Sequence, residues 1–93
     1  MEKREIEEEE LWQILLKHEV ETFYTKKGLP FTYEIRGGEM FVDRREKSIT
    51  RSTFGKAYRK VCQGGISGPK ALGIYGAPYI WGVLGSLELI PEN

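Results

Sequence analysis

Ninety-three residues, 40% of them hydrophobic and 12% aromatic, are enough for one domain with its own core, predicted to span 1–93, and too few for two. The single Cys62 excludes an intramolecular disulfide, and no apolar run reaches the roughly 18 residues of a membrane span; with the acidic start, these features predict a cytoplasmic protein. The zero net charge hides an asymmetry: residues 1–21 hold eight acids and three bases, a net of −5, whereas residues 26–60 hold ten bases and four acids, a net of +6. Such halves either pair with each other or steer separate partners.

A helix is predicted from Arg4 to about His18. Leu11, Ile14 and Leu15 form its apolar stripe, which Trp12 and Leu16 widen, and Glu7–Glu10 sit early, where the helix dipole favours acids. The β-branched and aromatic residues of Val20–Thr25 favour a strand. The alternative is a helix running on to Lys26-Lys27-Gly28, ahead of Pro30. Phe31–Arg36 and Glu39–Asp43 flank Gly37-Gly38, a two-residue turn suited to a tight hairpin over 31–43. Its register sets Arg36 against Glu39, Ile35 against Met40 and Tyr33 against Val42. One face, Phe31, Tyr33, Ile35, Met40 and Val42, is core; Phe41 on the other is exposed or covered by another element.

Lys47–Val61 carries a full helix-start signal. Thr50 fits the N-cap, Ile49 and Phe54 a hydrophobic staple, and Phe54, Ala57, Tyr58 and Val61 recur at core-facing spacing. Lys56, Arg59 and Lys60 lie opposite. Glycines after Gln63 end this helix, and a short helical turn is expected at Pro69–Leu72. A last helix starts near Ala77, with Pro78 at the favoured first position. It buries Ile80, Val83, Leu84 and Leu87. Its other side, Pro78, Gly82 and Gly85 with Trp81 at the edge, is nearly bare. The predicted class is α+β: an acidic N-terminal helix, a two- or three-stranded antiparallel sheet and two C-terminal helices.

Catalysis finds little footing. His18 and Cys62 are the sole histidine and cysteine, so one chain forms neither a two-histidine metal site nor a zinc cluster, and neither residue has a marked catalytic partner. Gly64, Gly65, Gly68, Gly73 and Gly76 lack the spacing of a phosphate-binding loop. No enzyme activity, cofactor or metal is expected. Nucleic-acid binding has more support, because Arg44, Arg45, Lys47, Arg51, Lys56, Arg59 and Lys60 cluster within seventeen residues. Ala71–Leu84 resembles the turn and second helix of helix-turn-helix proteins. Residues 77–87 nevertheless lack the Arg, Asn, Gln or Lys that a recognition helix offers to bases, so the 51–60 helix would be the reader. From Phe23 onward, the run FYTKKGLPFTYEIRGGEMFVDRREKSITRSTF followed by GPKALGIYGAPYIWGVL resembles small bacterial proteins of unknown function, which implies a compact α+β domain of bacterial origin.

The expected function is therefore a small nucleic-acid-binding or regulatory protein that contacts phosphates through those seven bases. The alternative is a protein-interaction module, a homodimer that uses Pro78, Trp81, Gly82 and Gly85. Internal glycines weaken a helix unless something approaches closely. That neighbour is either a partner or this chain's own N-terminal helix.

Overall fold

The computed structural model describes residues 6–64 and 68–89, and it is α+β, with three α-helices and two small antiparallel sheets. Helix α1 spans Glu8–Lys17 and keeps Glu8, Glu9 and Glu10 in its first turn. Its expected start at Arg4 lies outside the described residues. Leu11, Trp12 and Leu15 are buried, Ile14 is half-buried and Leu16 exposed, so the apolar stripe is turned toward Trp12.

The helix stops well before Lys27. Val20 takes φ +58°, a left-handed conformation that β-branched residues resist, and the chain then enters strand β1, Phe23–Tyr24. The strand expected at 20–25 is therefore present but short. It pairs antiparallel with β2, Pro30–Phe31, setting Phe23 against Phe31 and Tyr24 against Pro30. At Thr32 the chain crosses into the second sheet, its amide donating to Asp43 Oδ1 (3.1 Å) and its carbonyl accepting from the Asp43 amide (3.0 Å).

Strands β3 (Tyr33–Arg36) and β4 (Glu39–Val42) form the expected hairpin in the expected register. Of the two turn residues only Gly37 is left-handed (φ +61°), as in a type II′ turn. Phe31, Tyr33, Met40 and Val42 are buried and Ile35 half-buried. Phe41, on the opposite face, is half-covered, with the Arg36 guanidinium 4.9 Å from its ring centre. A third strand, β5 (Ile49–Thr50), pairs with β4. On the other side of β3, the Val20 amide donates to the Tyr33 carbonyl (3.0 Å) and the Ile35 amide to the Glu19 carboxylate (2.6 Å).

Tyr33 also ties the sheet to α1, its hydroxyl donating to the Leu15 carbonyl at 2.7 Å. Burial, reinforced by the charges of Glu21 and Glu19, pushes the pKa of this phenol up.

Helix α2, Arg51–Gln63, begins at the predicted cap: Thr50 Oγ1 accepts from the Thr53 amide at 3.2 Å. The Arg51 amide donates to the Gly38 carbonyl (2.8 Å), which fixes the helix start against the hairpin turn. Phe54, Ala57, Tyr58 and Val61 are buried as their spacing predicts. A 3-10 turn follows at Pro69–Leu72, and helix α3 spans Ala77–Ser86, with left-handed Gly76 as its N-cap. Pro78 therefore occupies the second helical position, one later than expected. Ile80, Val83 and Leu84 are buried and Leu87 half-buried. Tyr79 is buried as well, because its ring meets that of Phe31 edge-on at 5.1 Å.

Candidate functional site

The seven candidate bases fall into two groups with different surroundings. The first faces α1. Arg51, at the first position of α2, sends Nε to Glu8 Oε2 (3.1 Å) and Nη2 to Glu9 Oε1 (2.7 Å), with its guanidinium 5.8 Å from the Trp12 ring centre. Arg59 Nη1 lies 3.8 Å from Glu8 Oε1. The hydrogen bond from Arg51, helped by Gln13, holds the Glu9 carboxyl below its usual range, and Glu9 in turn raises the Arg51 pKa. Lys60 Nζ donates to the Leu72 carbonyl at 3.0 Å. Lys56 is exposed and makes no ion pair with another described residue. The acidic and basic segments thus meet at Arg51 and Arg59.

The second group lies on the connection between β4 and β5. Arg44 Nε donates to the Pro30 carbonyl. Arg45 Nε donates to the Tyr79 hydroxyl (3.3 Å), with its guanidinium 5.7 Å from that ring's centre. Lys47 Nζ lies 4.8 Å from the centre of the Tyr75 ring, while the Tyr75 hydroxyl donates to the Lys47 carbonyl at 2.9 Å. Arg44, Arg45 and Lys47 remain exposed. The aromatic supports of Arg45 and Lys47 were not legible in the sequence, because they lie about thirty residues downstream and outside the expected apolar stripe.

Another residue missed by sequence reasoning is Gly55. It sits one helical turn from both Arg51 and Arg59, on the same face, and is buried within α2. A Cβ there would lie 3.1 Å from Glu8 Oε1, so the carboxylate rests over a bare patch of helix between two arginines. Its signal was the Arg-x-x-x-Gly-x-x-x-Arg spacing at 51, 55 and 59.

On α3, Gly82 is buried. A Cβ at this position would come within 2.5 Å of the Tyr24 carbonyl oxygen and 3.2 Å of Phe31 Cε1. The close approach it permits is internal, and its neighbour is β1, not the N-terminal helix. Pro78 and Gly85 are exposed and Trp81 half-buried. On the adjoining ribbon Tyr24 is 55% exposed and Leu29 49% exposed. Ahead of α3 stands a four-residue 3-10 turn instead of the first helix of a helix-turn-helix, and α3 faces mostly inward.

His18 Nδ1 lies 2.9 Å from Glu21 Oε2 at the surface, and Cys62 is half-buried. Among the described residues no group of three or more His, Cys, Asp or Glu is placed to hold a metal ion. A shallow groove lined by Thr22, Pro30, Thr32, Asp43 and Arg44 has its best polar groups engaged, Asp43 with Thr32 and Arg44 with Pro30. Comparison with protein-family models, curated proteins and solved structures finds no match.

Proposed function

We propose that the chain is a small, non-enzymatic interaction module that self-associates through the uncharged outer side of α3 and the β1–β2 ribbon beside it. Pro78, Trp81 and Gly85 would supply the helix part, and Tyr24 with Leu29 the ribbon part. The observation that carries this reading is the contact beneath Tyr24. Its carbonyl is pressed against Gly82, so a 55% exposed aromatic side chain stands on a fixed backbone. Rigid exposed aromatics lose little entropy on binding and are enriched at interface centres. Residues 77–86 carry no charge, which suits the core of a two-fold interface, where like charges would otherwise meet.

Sedimentation from micromolar to millimolar concentration tests the reading. The expected outcome is a concentration-dependent dimer with a concentration-dependent melting temperature. Tyr24→Lys with Pro78→Lys, both at exposed positions, should give a folded monomer. A parent chain that stays monomeric throughout refutes it.

A second reading, phosphate contact by Arg44, Arg45 and Lys47 with Lys56, draws support from the stacking of Arg45 and Lys47 on Tyr79 and Tyr75. Cationic side chains held in place by aromatic rings suit contact with a nucleic-acid backbone.

A further inference from the structure

We infer that Arg51, Gly55 and Arg59 form a phosphate cradle for nucleic acid that the Glu8 carboxylate fills from within the chain, with Glu9 helping to close it. The inference rests on the nucleic-acid reading and adds a gate to it. Arg51 and Arg59 stand two turns apart on one face of α2, with Gly55 between them. The missing side chain leaves room for an anionic group to reach the helix surface, and Glu8 Oε1 takes that place. A guanidinium whose fork is divided between two oxyanions is arranged as arginine is for phosphate oxygens. Ser52 and Lys56, both exposed, flank the stripe with a hydroxyl and an ammonium group.

The occupant is exchangeable. Glu8 and Glu9 are 41% and 69% exposed and Arg51 and Arg59 are 33% and 47% exposed, so these pairs are solvated and contribute little individually. Helix α1 is held independently by buried Leu11, Trp12 and Leu15. Phosphate therefore needs only the glutamate side chains to swing out. While both remain charged they repel an arriving polyanion, and that repulsion is the gate.

Glu8→Gln with Glu9→Gln opens it without loss of side-chain volume. The probe is a fluorescein-labelled duplex of about 20 base pairs, with a single strand of equal length alongside, followed by anisotropy between 50 and 200 mM salt, the range over which phosphate contacts are read. The double variant should bind the duplex on the order of tenfold more tightly at low salt. Two added phosphate contacts should steepen the log K against log salt slope by about 1.8. Adding Arg51→Ala and Arg59→Ala should cancel both effects. Glu21→Gln with Glu34→Gln, equal in net charge, should leave the slope unchanged. Gly55→Ala, whose Cβ would stand 3.1 Å from the Glu8 carboxylate oxygen and narrow the same cradle, should reduce the gain when added to the double variant. An unchanged slope in the double variant, or a gain that survives loss of both arginines, overturns the inference. If parent and double variant bind equally through Arg44, Arg45 and Lys47, the gate fails and the nucleic-acid reading stands. If no variant binds, both fail.

Discussion

Gly82→Ala sets two effects against each other, and the structure decides which wins. At an unconstrained helix position the exchange stabilises by about 0.5–1 kcal/mol, because alanine has less backbone freedom to lose. Here the new methyl would stand 2.5 Å from the Tyr24 carbonyl oxygen, and real Cβ contacts do not fall below 3.0 Å, so the gap must open by at least 3.0 − 2.5 = 0.5 Å. The obstacle is backbone, which cannot rotate aside as a side chain would. Either α3 lifts from β1 or the β1–β2 pairing shifts. Buried Ile80, Val83 and Leu84 sit on the same helix and would lose part of their contact in the first case. Overpacking of this kind costs about 1–3 kcal/mol. Subtracting the helix gain leaves a net loss of about 0–2.5 kcal/mol, centred on about 1.2 kcal/mol, and for a domain of this size each lost kcal/mol lowers the melting temperature by about 4–8 °C. Circular-dichroism melts and urea midpoints measure it directly. Gly85→Ala, on the exposed side of the same helix, should show the helix gain alone and melt slightly higher when both proteins are compared at concentrations too low for self-association. A Gly82→Ala protein that melts higher than the parent, as Gly85→Ala should, would refute the close packing of α3 on β1, and with it the rigid support beneath Tyr24.

Gly37→Val should destabilise by about 1–2 kcal/mol, because only that turn residue is left-handed, whereas Gly38→Ala should be nearly neutral; chemical denaturation of the two variants separates them. Tyr33 should ionise above the ordinary phenol range in an ultraviolet titration. With its folded pKa raised, the stabilisation it brings is full below the ordinary phenol value of about 10 and fades as pH rises through the folded value, so melting temperature should fall in that alkaline window. Tyr33→Phe should abolish this alkaline component.

The hairpin was legible because two independent local signals, the Gly37-Gly38 turn and the alternation on each side of it, demand the same register. The start of α2 was legible for a similar reason: Thr50, Ile49 and Phe54 act within one turn. Strand β5 was not, since two residues cannot display an alternation. The break after α1 was half visible. Val20–Thr25 has strand composition, but nothing local announces that Val20 takes a left-handed conformation. The contacts that define the candidate surfaces are all long-range. Glu8 meets Arg51 across forty-three positions and Arg45 meets Tyr79 across thirty-four, so composition revealed two opposite charge blocks without revealing which members touch. Gly82 was recognised as a site of close approach, yet only three-dimensional packing identifies the Tyr24 backbone as the neighbour.

The bonds on the outer side of β3 and β2 bear on how this chain can meet another. Small two- and three-stranded sheets present unpaired amides and carbonyls that invite a strand from a second molecule. Here the Ile35 amide is occupied by the Glu19 carboxylate and the Tyr33 carbonyl by the Val20 amide, while Pro30 offers no amide and its carbonyl is taken by Arg44. Short strands and charged plugs make strand-by-strand growth unfavourable, so the chain is guarded against fibrous aggregation along these margins. Along these margins a second copy would have to be met by side-chain packing and not by an added strand.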